Sequence, residues 1–544
     1  MNHEQTPPRI AEQKYRILSL GILLVLIIVG SFTVADYGMG WDEPTRWRSG
    51  DQKVDYYRQL VESEAPMDVI QAVGRDPYPG LFDISLSIAH QWTGWDRFLL
   101  GHWWSFGFGL VGICALWLCA RMLGGARLAF WAALFLILTP PFYGHLFHNP
   151  KDIPFAAMYM VALWALTAFV SRLPAVQWWS VLPLGVVIGL VMSVRIAGLV
   201  VLGYYVCLIG LYLMRLWAER EDSPALLGLK KTIESHWKQL IQLALIGLAA
   251  AGIGFLVLLI WWPAGHRNIF AASGSTFQAL HTSASEIPLF FRGLFYQAGD
   301  TPFYYAAWMT VIKSPESLLL LLAAAAAGLV SRIRGGIRSF LSEFSLPWSV
   351  IVLGALFPLL YITWTAPALH NGVRHFLFIF PPLCLLAAGG WLWILDRFPR
   401  DGSNRIGLIV RLLIPGLLFL QGVQLVALHP YQYTYYNSLI GGPAGSYGRY
   451  ETEYWFTSTK HGLEWLGSYL GAQENPEVKK VFITGPWQVA EPFLAESMEL
   501  TGDFRAADFI LVNTQMMLDQ RIEGETLHVI ERMGLPILYI RALK

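Results

Sequence analysis

Long apolar runs, separated by shorter polar segments, make up most of the first 428 residues. The first run, ILSLGILLVLIIVGSFTVA, follows Lys14 and Arg16, and ten more runs come after it. Apolar runs of about 18 or more residues are long enough to cross a bilayer as helices. The pattern predicts a polytopic α-helical membrane protein with about 11 transmembrane helices, of which the fifth and sixth are separated only by the segment around Arg195.

Basic residues are concentrated in every second loop between the runs. They precede the first run and recur at 121–127, 215–238, 332–338 and 397–405. Because loops rich in lysine and arginine tend to stay in the cytoplasm, the N-terminus is predicted to be cytoplasmic. The two long polar segments, at about 37–97 and 263–314, are then expected on the outer side of the membrane.

The chain changes character after residue 428. Charge density rises, and short β-branched runs such as KKVFITG, DFILVNT and LPILYIRAL alternate with turn-rich and helix-like pieces. This alternation is typical of strands in a small α/β domain. We expect a transmembrane domain over 1–428 and an α/β domain over 429–544, which an odd number of helices would place outside the cytoplasm.

The composition agrees with a membrane protein and narrows its partners. Hydrophobic residues make up 55% of the 544 residues and charged residues only 14%, too few to cover a soluble protein of this size. The four cysteines lie inside apolar runs, which favours packing over disulfides or metal ligation. The net charge of +1 gives no electrostatic reason to expect binding to nucleic acid. We expect a multi-pass protein of the inner (plasma) membrane, surrounded by membrane lipids.

Two clusters of polar residues lie at the outer ends of predicted transmembrane helices. The first is Trp41-Asp42-Glu43, after the first transmembrane helix. A carboxylate partly shielded from water can act as a general base, although this pair followed by proline also suits a solvated helix start. The second cluster, before the fourth helix, comprises His145, His148, Asn149, Lys151 and Asp152. Its aspartate could also cap a helix, and its histidines suit either an active site or a metal site.

Two further clusters lie near late helices. Arg374 and His375 open the tenth helix, where an arginine can bind phosphate through two hydrogen bonds or anchor the helix among lipid headgroups. The segment HPYQYTYYN after the eleventh helix contains Tyr433, Tyr436 and Asn437, and its tyrosines could form an aromatic belt at the membrane surface. The sequence contains no P-loop, which leaves nucleotide-driven transport without support. It also contains no HExxH zinc-binding motif.

In this order and topology the motifs resemble the GT-C fold glycosyltransferases, and within them the superfamily of protein O-mannosyltransferases and aminoarabinose transferases. The resemblance is carried by the Asp-Glu pair after the first helix, FHNPKDIPFA, DTPFYYAAWMTVIKSPESLL, the Arg-His pair of a late helix with Pro-Pro, and HPYQYTYYNSLIGG. It extends over nearly the whole chain and is similar to the bacterial phospholipid-carrier-dependent glycosyltransferases.

The resemblance implies transfer of a sugar from a polyprenyl-phosphate carrier to a lipid, glycan or protein acceptor on the outer face. Asp42 matches the catalytic aspartate of that family, which would be the general base, and Asp152 would orient the acceptor or tune Asp42. The charge that develops on the phosphate needs cationic partners, for which Arg374 is the candidate, with Lys151 or Arg75 as helpers. A single in-line displacement would invert the anomeric carbon. The family reaction requires no cofactor, although it is compatible with a divalent metal.

The predicted catalytic set is Asp42, Glu43 and Asp152, and the predicted substrate-binding set is Arg374, His375, Lys151, His148, Asn149, Arg75, Tyr433, Tyr436 and Asn437. The chain departs from the family at Tyr78-Pro79-Gly80, where relatives with a Lys-Pro-Pro element place a lysine near the carrier phosphate, and it has no β-trefoil repeat. The identity of the phosphate partner therefore stays open.

Two other classes of function are compatible with parts of the pattern. A transporter or flippase for a lipid-linked or polyol substrate would place polar residues and broken helices near the bilayer midplane, and Arg195 fits that hypothesis best. A non-catalytic scaffold of an envelope complex would keep the fold without the chemistry. The polar residues gather instead in two long loops and one terminal domain, which favours an enzyme at the membrane surface.

Overall fold

The structure is a computed structural model that describes residues 8–62, 78–219, 225–269, 272–274, 287–297, 300–333, 341–342, 344–367, 369–398, 405–472 and 477–543. Arg75, a predicted helper at the phosphate, lies outside these residues. The helices of eight or more residues are α1 Pro8–Thr33, α2 Glu43–Glu62, α3 Leu81–Thr93, α4 Arg97–Ile137, α5 Asp152–Val170, α6 Val181–Val194, α7 Val200–Ala218, α8 Ala225–Ile260, α9 Tyr305–Lys313, α10 Glu316–Ile333, α11 Leu346–Thr365, α12 Phe380–Arg397, α13 Arg405–Ala427 and α14 Ser458–Gly471.

Eleven apolar helical segments can be recognised among the described residues. Eight helical stretches are long and apolar enough to cross a membrane, and two shorter apolar helices, Trp178–Val194 and Arg411–Ala427, accompany them. One of the eight, the 41-residue α4, consists of two arms joined by a reversal. The polytopic α-helical fold predicted from the apolar runs is therefore confirmed.

The reversal inside α4 occurs at Gly124 and Gly125. Gly125 has φ +74° and ψ −175°, a backbone conformation that glycine adopts without steric cost. Contacts with α1 give the direction of each arm: Phe106 lies against Gly30 and Arg121 against Glu12, whereas after the reversal Ala126 contacts Glu12 and Phe130 contacts Tyr15. The first arm therefore runs antiparallel to α1 and the second arm parallel to it.

The fifth and sixth apolar runs are two separate helices. α6 ends at Val194, Arg195 has an extended backbone with φ −147° and ψ 134°, and a 3₁₀ turn over Ile196–Leu199 leads into α7. The break places the side chain of Arg195 where it reaches Asp152, the first residue of α5. A charged residue between two apolar runs thus ends beside the first turn of a neighbouring helix.

The C-terminal residues form a small α/β domain. Its strands are β3 Lys479–Ile483, β4 Met498–Leu500, β5 Phe509–Asn513, β6 Glu525–Arg532 and β7 Leu535–Ala542, in the spatial order β4-β3-β5-β7-β6. The β3 strand pairs in parallel with β4 and β5, whereas β7 pairs antiparallel with β5 and β6. α14 packs on this sheet, with Gly462 against Leu511 and Leu538. The β-branched runs therefore form strands, as expected.

The polar segments between helices are themselves folded. α2 and α3 occupy the first long polar segment, and a hairpin of β1 Leu289–Phe291 and β2 Leu294–Tyr296 occupies part of the second. Residues 429–457 lie between the helices and the sheet: Lys313 donates to the Tyr433 carbonyl at 2.9 Å, and Gly38 lies against Thr457. The division of the chain at residue 428 stays a prediction.

Candidate active site

A cavity of about 240 Å³ lies where α2, α3, α5 and the turn before α12 come together. Its wall is formed by Trp41, Asp42, Arg46, Tyr78, Pro79, Phe82, Asp83, Pro150, Lys151, Val194, Arg195, Ile196, Ala197, Ile287, His370, Arg374 and His375. Trp41 and Asp42 of the first polar cluster, part of the second cluster, and the Arg-His pair therefore meet in one place. These residues come from segments more than 300 positions apart in the chain.

Asp42 lies in the turn that begins α2, and its carboxylate faces the cavity. Arg374 donates to the Asp42 carboxylate at 2.5 Å. Burial opposes ionisation of Asp42, but the positive charges of Arg374 and Lys151 outweigh it and hold the pKa of this carboxyl well below its usual range. Asp42 is therefore an anion at neutral pH and is paired with a cation.

Asp152 lies behind the cavity wall, at the first turn of α5. Its backbone N–H donates to the side-chain oxygen of Asn149 at 2.8 Å, and the Asn149 amide donates back to the carboxylate at 2.9 Å. One carboxylate oxygen accepts from Arg374 at 3.3 Å, and the other accepts from Arg195. This geometry suits a residue that positions two arginines better than one that contacts an acceptor.

Arg374 connects the two carboxylates. Its side chain is only 4% exposed, and its guanidinium lies over the Trp455 ring at 4.3 Å. Arg195, Asp152, Arg374 and Asp42 thus form a row of alternating charges along one side of the cavity. Ion pairs of this kind are costly to break one member at a time, because a buried charge is then left unpaired.

Two more cations complete the wall. Lys151 lies 5.3 Å from the centre of the Tyr78 ring, and Arg46 lies 5.8 Å from the same ring. Arg46 also donates to Asp83 at 3.0 Å. Burial lowers the pKa of Lys151 to about 8, although the nearby Asp42 carboxylate acts in the opposite direction. Two cations thus lie beside the ring of Tyr78, in a segment that has no lysine of its own.

Glu43 is turned away from the cavity. Its carboxylate accepts from the backbone N–H of Gly40 at 2.7 Å and lies 3.4 Å from Nε2 of His102. This bond closes the turn that leads into α2. Its side chain is buried, and burial raises the pKa of this carboxyl. Of the Asp-Glu pair, the geometry brings only Asp42 to the cavity.

Of the cluster before α5, Lys151 lines the cavity, whereas the two histidines do not. His148 is buried beside the rings of Tyr433 and Trp455 and does not line the cavity. Burial lowers its pKa well below the usual range, so it is neutral. His145 contacts the Tyr454 hydroxyl through Nε2 at 3.2 Å. Asn149 holds Asp152 and Lys151 lines the wall, so these two contribute to the cavity.

The tyrosine-rich segment supports the site from behind. The Tyr433 hydroxyl donates to Glu453, and the Tyr436 hydroxyl donates to the backbone carbonyl of Glu451 at 2.6 Å. The Asn437 amide donates to the carbonyls of Val311 and Ser314, both at 2.8 Å. All three predicted substrate-binding residues are buried away from the cavity. They hold the chain that carries Trp455 against the helices.

Several wall residues were not predicted from the sequence as site residues: Trp41, Arg46, Tyr78, Asp83, Arg195 and His370. Arg195 had a visible signal, since it is a charged residue between two apolar runs. The others resemble ordinary loop residues until the fold brings them together. Among the described residues, no group of three or more His, Cys, Asp or Glu side chains is placed to hold a metal ion.

One protein-family model matches part of the chain. Residues 94–222 match the family model described as dolichyl-phosphate-mannose-protein mannosyltransferase. No curated protein shows a significant sequence match to the chain.

Solved structures of similar shape are distant in sequence. ArnT from Cupriavidus metallidurans bound to undecaprenyl phosphate aligns at 13% identity and a TM-score of 0.42, covering 86% of this chain and 88% of that chain. The archaeal oligosaccharyltransferase AglB from Archaeoglobus fulgidus, in complex with an inhibitory peptide and a dolichol-phosphate, aligns at 13% identity and a TM-score of 0.42, covering 81% and 62%. Arabinofuranosyltransferase AftD from Mycobacteria aligns at 11% identity and a TM-score of 0.35, covering 84% and 36%. The family model therefore shows similarity for residues 94–222 of the 544-residue chain.

Proposed function

We propose that the protein transfers a sugar from a polyprenyl-phosphate-linked donor to an acceptor on the outer face of the cytoplasmic membrane, with inversion. The observation that carries the proposal is the charge of the cavity wall, on which four cations, Arg46, Lys151, Arg195 and Arg374, meet two carboxylates, Asp42 and Asp83. The cations still outnumber the carboxylates when Asp152, which pairs with Arg195 and Arg374 from behind the wall, is counted, so the cavity suits an anionic ligand such as a phosphate diester. The matched family is named for a donor of that class.

The proposed reaction assigns one step to these residues. An acceptor hydroxyl attacks the anomeric carbon, and the bond between that carbon and the phosphate oxygen breaks with its electron pair going to the phosphate. The hydroxyl proton passes to the Asp42 carboxylate. Lys151, Arg374 and Arg195 stabilise the charge that develops on the leaving phosphate. Because attack and departure occur on opposite sides of the carbon, its configuration inverts.

In this scheme the Arg374 guanidinium binds either the Asp42 carboxylate or the donor phosphate. In the ligand-free protein it is bonded to Asp42. A phosphate that takes up the guanidinium would release that carboxylate and offset the largest of the charges that depress its pKa, which raises its strength as a base while Lys151 stays nearby. Asp152 keeps Arg374 and Arg195 in place throughout. Arg195, which fitted a transporter best, lines the same cavity and contacts the same carboxylate.

The test is Asp42→Asn in purified protein in lipid nanodiscs. The protein is supplied with polyprenyl-phosphate-linked hexoses and pentoses and with an envelope extract as the source of acceptor. We expect donor binding to survive and transfer to fall by about 10²- to 10⁴-fold, the usual contribution of a general base. Asp55→Asn, which changes an exposed carboxylate paired only with Arg58, is the matched control and should keep full activity. Undiminished transfer by the Asp42 variant would remove the base assignment.

A further inference from the structure

Some wall groups of the cavity play no part in handling the phosphate. The Nδ1 atom of His370, the Nε2 atom of His375 and the indole N–H of Trp41 are buried, and none has a hydrogen-bond partner among the described residues. All three side chains line the cavity. Buried polar atoms are nearly always paired in folded proteins, so three in one wall indicate groups that await a ligand.

The rings of the two histidines pack against each other. Their rings meet edge to face with centroids 4.6 Å apart, and His370 is only 7% exposed. Burial, together with the nearby Arg374, lowers the pKa of His370 to about 3. This imidazole therefore carries no charge at neutral pH, and it offers one N–H donor and one nitrogen acceptor. Such a pair suits a hydroxyl group, which both donates and accepts, better than it suits a phosphate.

The position of the two histidines relative to the cations identifies which hydroxyls they would meet. His375 directly follows Arg374, and Trp41 directly precedes Asp42. In the proposed donor the sugar is bonded directly to the phosphate, so its hydroxyls lie beside the cations that bind the phosphate. The aromatic face of Trp41 adds an apolar surface of the kind that ligand sites combine with a few placed polar groups.

We propose that His370, His375 and Trp41 bind the hydroxyl groups of the donor sugar, so that the cavity distinguishes the glycosylated carrier from the spent carrier phosphate. The inference rests on the proposed function, because it requires a lipid-phosphate donor in this cavity. It assigns the two imidazoles to sugar recognition and leaves the phosphate to Lys151, Arg195 and Arg374. His370 and Trp41 then become binding residues that set specificity.

The experiment compares ligands of the same lipid and phosphate. Dissociation constants are measured in nanodiscs for farnesyl phosphate, for farnesyl methyl phosphate as a sugar-free diester, and for a panel of farnesyl-phosphate-linked hexoses and pentoses, which are diesters of the same charge. We expect the wild type to prefer at least one glycosylated ligand. His370→Phe and His375→Phe should each reduce that preference roughly threefold to tenfold, the effect of losing one net hydrogen bond. Affinity for farnesyl phosphate itself should not change.

Two further variants separate hydrogen bonding from packing. His370→Asn and His375→Gln keep a polar group and should recover part of the preference that the phenylalanine variants lose. His236→Phe replaces a histidine that does not line the cavity and should behave as the wild type. The sugar site is overturned if both phenylalanine variants keep the full preference, or if the wild type binds farnesyl methyl phosphate as tightly as every glycosylated ligand. If the wild type binds neither class of lipid, the proposed function fails and the sugar site falls with it.

Discussion

At the scale of single residues, Lys151 is the cation whose charge can be changed by pH. Its pKa of about 8 lies near the physiological range, and no ion pair holds it among the described residues. Arginine, by contrast, stays charged at any pH that a protein survives. Lys151 is therefore the cleanest probe of how the cavity binds a phosphate.

The predicted pH dependence follows from this pKa. Below about pH 8 Lys151 is protonated and contributes its charge to the phosphate; as pH rises through 8 the charge is lost and the affinity for farnesyl phosphate should fall. In Lys151→Arg the charge persists, so the affinity should stay level to higher pH. The measurement is the dissociation constant of farnesyl phosphate between pH 6.5 and about 10, the range that spans an ordinary and a lowered lysine pKa. Identical profiles for the two proteins would contradict the assignment.

The sequence allowed Asp42, Lys151 and Arg374 to be selected because each interrupts an apolar pattern at a helix end. It could not separate Asp42 from Glu43, since the two are adjacent and only the turn geometry decides which carboxylate accepts from Gly40. His370 carries no signal of its own. Its significance comes from an unpartnered nitrogen in a shared cavity, which depends on contacts across the fold.

At the scale of elements, the reversal inside α4 depends on Gly125. A residue with a Cβ at φ +74° is strained, so Gly125→Ala should destabilise the protein by about 1 kcal/mol. Thermal unfolding in detergent measures the effect. Gly107→Ala is the matched control, because Gly107 lies in the first arm of the same helix and an added Cβ meets nothing within 4 Å. Equal stability of the two variants would show that the reversal does not require glycine.

The helices could be predicted from the sequence more completely than the segments that connect them. Each apolar run became a helix because a backbone in lipid must satisfy its own hydrogen bonds. The fold of the polar segments could not be foreseen, since α2 is stabilised by contacts such as Arg46 with Asp83 that no local pattern reveals. The position of the Arg195 side chain could not be foreseen either, because it depends on a helix that ends at the preceding residue.

At the scale of the whole molecule, the C-terminal region presses against the segment that carries Asp42. Gly38 lies four residues before Asp42 in the chain, and a Cβ on Gly38 would overlap the backbone carbonyl of Thr457. Gly38→Ala should therefore displace the Asp42 turn and lower transfer by about 5- to 160-fold, the equivalent of the 1–3 kcal/mol that overpacking costs. Gly21→Ala, where a Cβ meets nothing within 4 Å, should leave transfer unchanged. Transfer activity of the two variants in nanodiscs is compared, with circular dichroism to verify the helical fold.

The row of alternating charges, Arg195–Asp152–Arg374–Asp42, has a consequence for product release. A phosphate that reaches Arg374 replaces a carboxylate that is already there, so binding exchanges one counter-ion for another. The affinity of the carrier should then respond only weakly to ionic strength, unlike capture by an open cationic surface. The exchange also runs backwards: once the sugar has left and Asp42 has passed the acceptor's proton to water, its carboxylate competes with the spent phosphate for the same guanidinium. The general base of the reaction would thereby help to expel its leaving group.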